Sequence, residues 1–135
     1  MSIVTATLVP EDRRLDLTAE LFGLHFPLAI EPAIFTFADR LSSEYHGGYW
    51  DFYELSNGGF FMAPDADNYT VTSENGWQGT MTGEAFGITA CLFAYSHMSF
   101  SQQDDLAEVC GRHYHLLREY MYEHAEVRGI LAATD

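Results

Sequence analysis

The sequence predicts an α+β fold: one compact domain over residues 1–135, with an antiparallel three- to four-stranded β-meander packed with about four α-helices. Three observations carry this reading. Residues 45–64 are dense in aromatic side chains and centre on Asn57-Gly58, a turn dipeptide flanked by strand-forming runs. From Thr82 onward the apolar pattern switches to helical period. Before residue 45, two shorter helical segments are bounded by proline and glycine.

Residues 1–10 read as extended and end at Pro10. Glu11 to Phe22 follows as a helix, with Glu11 and Asp12 in the first turn, where carboxylates suit the helix dipole, and Gly23 closing it. Leu15, Leu17, Leu21 and Phe22 supply its apolar face. His25-Phe26-Pro27-Leu28 reads as a linker. Glu31-Pro32 opens a second helix running to about residue 45, with Ile34, Phe37, Ala38 and Leu41 at helical spacing. Gly47-Gly48 breaks it. Residues 49–55 and 59–63, stopped by Pro64, form a hairpin in which Asn57-Gly58 supplies the two φ > 0 positions of a type I′ turn. Residues 69–73 read as a third strand, and residues 77–81, beyond the Asn75-Gly76 turn, as a fourth.

Thr82 is the predicted N-cap of a helix that is apolar nearly all round, which implies burial on several sides. Gly83, Gly87, Ala90 and Ala94 form a small-residue stripe along it, where another element can approach closely. The last long helix starts at Ser101 or Gln102 and runs to about residue 124, with Leu106, Val109, Cys110, His113, Leu117 and Tyr120 on one face. Residues 126–133 add a final turn. No internal repeat and no domain boundary is visible.

Length and composition set the class. With 47% apolar residues, a chain of 135 residues buries roughly 68% of the surface exposed when unfolded. No segment reaches the roughly 18 apolar residues of a membrane span, and the first six residues lack the basic and apolar regions of a secretory signal. A cytoplasmic protein without membrane contact is the expectation. Cys91 and Cys110 lie in apolar helical contexts and read as buried thiols rather than a disulfide.

The charge balance is lopsided: 20 Asp and Glu against 6 basic residues, all arginine, for a net charge of −14. Such a domain repels nucleic acid, so direct DNA or RNA binding is not expected. Two roles remain for the charge, a solvated surface or a mimic of the phosphate backbone. The carboxylates occur singly or in pairs such as Glu11-Asp12 and Asp104-Asp105, with apolar residues between. That dispersal favours the solvated surface.

No constellation for chemistry stands out. His113 and His115 are two apart on a helix and point to different faces, and no metal-ligand spacing occurs among the six histidines, so no metal site is expected. Asp51 and Glu54 are three apart on a strand and face opposite sides of the sheet, which disfavours an acid/base pair. Ser56-Asn57-Gly58-Gly59 lacks the lysine and following helix of a phosphate loop, and Gly83-Glu84-Ala85-Phe86-Gly87 is no dinucleotide fingerprint. Neither cysteine has a basic neighbour to lower its pKa. Catalytic and cofactor-binding residues are therefore not expected.

The first hairpin strand offers a recognition surface instead. Trp50 and Phe52 share the face that packs on helices, and Tyr49, Asp51 and Tyr53 share the other. With Asp65 and Asp67 in the connection that follows, Tyr49, Asp51 and Tyr53 form the candidate partner surface. The competing reading makes these core tyrosines with satisfied hydroxyls.

Residues 45–64 also resemble the signature of the KlcA/ArdB antirestriction family, small proteins of bacterial plasmids and other mobile elements. The matching residues are Tyr45, Gly47-Gly48, Trp50, Phe52-Tyr53, Leu55, Asn57-Gly58-Gly59-Phe60 and Met62-Ala63-Pro64. Asn75-Gly76, Thr82, Ala85 and Gly87-Ile88 extend the match, as do His124-Ala125-Glu126, Ile130, Ala133 and Asp135. The likeness covers roughly residues 10–135. Ala125 departs from it, because the family favours proline after the histidine, and this leaves the start of the last segment open. The resemblance implies a compact α+β domain that protects incoming DNA from host type I restriction–modification enzymes. Contact is with the enzyme, directly or through a host factor, and no catalytic residues are carried over. The alternatives are an acidic DNA mimic competing for the restriction enzyme's DNA site, and an unrecognised enzyme with a cleft of converging polar groups.

Overall fold

The architecture is that of a computed structural model, which describes residues 3–135; Met1 and Ser2, the start of the predicted extended stretch, lie outside the described residues. In chain order the elements are β1 (Ala6–Leu8), α1 (Arg14–Phe22), α2 (Glu31–Leu41), β2 (Trp50–Leu55), β3 (Phe60–Pro64), β4 (Tyr69–Thr72), β5 (Gln78–Met81), α3 (Gly83–Met98), α4 (Asp104–Met121) and α5 (Val127–Thr134). A 3-10 turn, Glu11–Arg13, leads into α1. The fold is α+β, as predicted.

The strands depart from the predicted meander. They form two sheets, β1-β2-β3 and β4-β5, each antiparallel. In the first, Leu55 pairs with Ala6 on one side, and Phe52 with Met62 on the other. The second pairs Tyr69 with Met81. The break has a clear cause. Phe60, Met62 and Pro64 occupy the non-hydrogen-bonded positions opposite β2, so their backbone polar groups point outward from the sheet. Helix α3 lies along that edge and satisfies it with side chains: Tyr95 Oη donates to the Phe60 carbonyl at 2.8 Å, and Cys91 Sγ to the Met62 carbonyl at 3.6 Å. A covered edge has no room for β4.

Close approach at that edge depends on Gly87. A Cβ there would lie 2.4 Å from Ala63 Cα, Ala63 Cβ and the Met62 carbonyl oxygen. Gly83 and Gly87 of the predicted small-residue stripe are therefore contact points between α3 and β3. Thr82 caps α3, its hydroxyl accepting from the Ala85 amide at 3.3 Å, and eleven of the helix's residues, from Gly83 to Tyr95, are buried.

Four local expectations are corrected. The hairpin turn is not type I′: Gly58 has φ +91°, but no non-glycine residue has positive φ. Gly58 N–H donates to the Leu55 carbonyl and Leu55 N–H to the Gly59 carbonyl, both at 2.9 Å, which gives a three-residue loop with a bulge at Gly58. Asn57 keeps φ below zero because its side chain is bound twice, donating to the Leu116 carbonyl on α4 and accepting from Gly59 N–H, both at 2.9 Å.

Residues 25–28 are not a linker. Phe26–Ile30 forms a π-helical turn that runs into α2, with Pro27 in its first turn, where its missing N–H costs nothing. Phe26 and Ile30 are buried, and the Phe26 ring packs edge-on against Phe52 and Phe60. Helix α2 stops at Leu41, short of residue 45, because Ser42 turns extended and its hydroxyl accepts from Glu44 N–H at 3.2 Å. In α1, Leu17 and Phe22 are buried but Leu15 is 84% exposed, so the predicted apolar face is not covered along its whole length.

Both faces of β2-β3 are covered. Trp50 and Phe52 meet Phe35 and Phe26 on the α1–α2 side. On the other side Tyr53 stacks on Phe61 at 4.7 Å, and Phe61 on Tyr120 of α4 at 5.6 Å. Cys91 and Cys110 are buried free thiols, as predicted. Helix α5 is held through Asn75, whose amide donates to the Ala132 and Asp135 carbonyls at 2.8 and 2.7 Å.

Candidate functional site

Asp51 and Tyr53 alternate with the buried Trp50 and Phe52 on β2, so both reach the α4 side of the sheet. At the Asp51 end of that face the sheet runs out. Strand β3 ends at Pro64, the chain continues through Asp65, Ala66 and Asp67, and the first turn of α3 comes in alongside. These segments enclose a polar cleft of about 280 Å³, lined by Asp51, Tyr53, Asp65, Asp67, Thr82 and Glu84 among others. Four of the five candidate surface residues thus converge on one site.

The fifth does not. Tyr49 precedes β2 and is 52% exposed on the other side of the strand. Its hydroxyl donates to Glu11 Oε1 at 2.5 Å, and its ring carries the Arg14 guanidinium at 4.8 Å. It touches the cleft only through its backbone, where its carbonyl accepts from Asp65 N–H at 3.3 Å.

The cleft is electronegative. Burial first, and then the charges of Asp51, Glu84 and Asp65, push the Tyr53 hydroxyl above its usual range. Burial, Glu84 and Tyr53 do the same to Tyr120. One cation approaches from behind: Arg14 Nη2 lies 3.8 Å from Asp51 Oδ1, with its guanidinium over the Phe52 ring at 4.4 Å. Asp65 and Asp67 are exposed and in no ion pair among the described residues.

The wall at α3 is fixed by a group that sequence reasoning missed. Glu126 accepts from Thr82 N–H at 3.0 Å and from the Thr82 hydroxyl at 2.5 Å. His124 Nδ1 accepts from Glu126 N–H at 3.0 Å, which places the ring proton on Nε2, 2.6 Å from Glu84 Oε2. The signal was present, because Thr82 and His124-Ala125-Glu126 both belong to the quoted family motifs. Histidine spacing within one helix could not reveal a partner 40 residues away.

The remaining polar groups are not assembled for chemistry. His113 is buried against the Phe22 and Tyr95 rings at 4.4 and 5.9 Å, its Nδ1 without a hydrogen-bond partner, and burial with Arg112 lowers its pKa to about 4. Burial pushes the Cys91 thiol up to about 12 and Cys110 to about 11, the reverse of what a nucleophile needs. Among the described residues, no three His, Cys, Asp or Glu side chains are grouped to hold a metal ion. The cleft's polar lining is dominated by carboxylates, Asp51, Asp65, Asp67 and Glu84.

A family model described as antirestriction protein matches residues 43–135. An antirestriction protein KlcA of Escherichia coli is 36% identical over 135 residues, covering 98% of this chain and 95% of the relative. An uncharacterized protein YafX of Escherichia coli strain K12 is 41% identical over 138 residues, covering 98% of this chain and 88% of the relative. A solved structure superposes with a TM-score of 0.90 at 36% identity, over 99% of this chain and 96% of that one. It comes from work on the KlcA and ArdB proteins, which show a novel fold and antirestriction activity against type I DNA restriction systems in vivo but not in vitro. With the family model over more than half its length and relatives aligned almost end to end, the chain belongs to the KlcA/ArdB antirestriction protein family.

Proposed function

We propose that this chain protects incoming DNA from a host type I restriction–modification system, acting in the bacterial cytoplasm by protein–protein contact and without catalysis. The observation that carries this is the likeness along nearly the whole chain to KlcA and ArdB, which oppose type I restriction in vivo. The contact surface is the acidic cleft of Asp51, Tyr53, Asp65 and Asp67, with Tyr49 at its far border. Its partner is an arginine- or lysine-bearing surface of the restriction enzyme or of a host factor acting on it. The absence of in vitro activity reported for the relatives favours a cellular partner over simple DNA mimicry. A phosphate-backbone mimic needs only the purified enzyme in order to compete.

The test is phage plating or plasmid transfer in a host carrying a type I system. Asp51→Asn, Asp65→Asn and Asp67→Asn combined should abolish protection while the protein stays folded. Glu108→Gln with Glu119→Gln, exposed on α4 and outside the cleft, should leave protection intact. Equal loss from both sets of changes would point to total charge and hence to mimicry. Full protection by the cleft triple variant would remove the cleft from the mechanism.

A further inference from the structure

A groove of about 500 Å³ shares no lining residue with the acidic cleft. The chain turns by 93° between Glu11–Phe22 and Phe26–Leu41, and the groove lies in that bend. Its walls are mostly apolar, with Leu15, Ala19, Leu24, Phe26, Pro27 and Phe52 contributing. Leu15 and Leu24 are 84% and 75% exposed, and Leu28, next along the bend, is 76% exposed. Three leucines left in water around one groove form a patch that folding does not use, and such patches mark interaction sites.

Charge identifies the occupant. Glu11 and Glu31 stand in the groove walls, and Arg14, the cation among its lining residues, is turned to Asp51 at 3.8 Å and to the Phe52 ring. Asp12, Asp16 and Glu20, spaced four apart, make an exposed stripe beside the Leu15–Ala19 row on the same helical surface. None of Asp12, Asp16, Glu20 and Glu31 is in an ion pair among the described residues. A second copy of this chain would bring −14 against −14, with carboxylates facing carboxylates. Anionic lipid is repelled in the same way. A helix with leucine or phenylalanine on one face and arginine or lysine beside it meets the apolar row and the acidic stripe at once.

We infer that the bend between α1 and α2 is a docking groove for a basic amphipathic helix of a partner protein, anchored at Leu15, Leu24 and Leu28 and flanked by Asp12, Asp16 and Glu20. This inference does not depend on the antirestriction reading, which rests on the likeness to KlcA and ArdB and takes the other cleft as its contact surface.

The probe is a synthetic amphipathic helix of leucine and arginine, titrated into the isotopically labelled full chain and followed by NMR. Two control peptides carry glutamate in place of arginine, and serine in place of leucine. The Leu/Arg peptide should shift the Leu15, Ala19, Leu24 and Leu28 signals first. Leu15→Ser with Leu24→Ser should weaken it by about tenfold or more, as loss of buried anchors does, without lowering the melting temperature of a protein in which both leucines are exposed. Asp12→Asn, Asp16→Asn and Glu20→Gln combined should weaken binding and flatten its salt dependence. Equal binding of the serine-for-leucine peptide, or shifts scattered over the whole surface, would overturn the proposal. So would a dimer abolished by Leu15→Ser in sedimentation, or binding of the protein to vesicles of anionic phospholipid through the same residues.

Discussion

Replacing Gly87 with alanine adds one methyl group to a helix, and the geometry turns that small change into a large one. The new Cβ would lie 2.4 Å from Ala63 and the Met62 carbonyl, where ordinary contact needs 3.4 Å or more, so α3 must retreat from β3 by about 1 Å. A retreat of that size lengthens the Tyr95–Phe60 bond from 2.8 Å to about 3.8 Å and the Cys91–Met62 contact from 3.6 Å to about 4.6 Å. Both leave hydrogen-bonding range. Each orphaned carbonyl costs about 1–3 kcal/mol, overpacking adds a similar amount, and alanine's better helix propensity returns about 1 kcal/mol. The net loss is about 2–8 kcal/mol, which lowers the melting temperature by at least roughly 6 °C for a chain of this size.

The internal control is the same substitution elsewhere. At Gly111 in α4 a Cβ would meet only Ser99 Cβ at 3.9 Å, ordinary contact. Gly111→Ala should therefore stabilise the protein by up to about 1 kcal/mol through helix propensity alone. Urea and thermal denaturation of the two variants should move in opposite directions. A Gly87→Ala protein that melts at or above the wild-type temperature would refute the close contact between α3 and β3.

Three further changes probe other parts of the reasoning. Gly58→Val forces a β-branched residue to φ +91° and should cost more than the roughly 1 kcal/mol of an average substitution, read from the urea midpoint. His113 is held neutral, with its pKa lowered from 6.5 to about 4, so its contribution is present above pH 6.5 and is lost as pH falls toward 4; at about 1.36 kcal/mol per unit this amounts to about 3 kcal/mol, and His113→Phe should flatten stability across that window. Glu126→Gln should lower stability by about 1 kcal/mol by weakening the grip on Thr82, with the loss seen in hydrogen exchange at the first turn of α3.

What could be read from the sequence was whatever is local in chain and periodic. Alternation placed Asp51 and Tyr53 together and away from Trp50 and Phe52, though it wrongly added Tyr49, and the small residues Gly83 and Gly87, four apart, marked where another element comes close. The unread features are tertiary. Ala6-Thr7-Leu8 carries no pattern that names β2 as its partner, and the pairing is set by residues about 50 positions apart, as in the Thr5 N–H bond to Ser56 Oγ at 2.9 Å. The separation of the two sheets follows from a tyrosine hydroxyl and a thiol that cap strand carbonyls from another element, which no propensity encodes. Asn57-Gly58 suggested a type I′ turn because local preference cannot register that the Asn57 amide is engaged by α4.

The same tertiary contacts bear on how a loss of function should be read. Thr82, His124 and Glu126 hold the cleft wall at α3, while Tyr53 is held by its stack on Phe61. Asp65 and Asp67 take no part in that clamp; they are exposed carboxylates on a connection whose backbone is tied by Asp65 N–H to Tyr49 and by Gly83 N–H to Ala66. Their neutralisation removes charge and leaves the frame intact. Asp51 differs, because its neutralisation also frees Arg14, so Asp65→Asn with Asp67→Asn is the cleaner pair of the three. If that pair loses protection at wild-type stability, the cause is the missing charge in the cleft, since nothing that holds the cleft together has been touched.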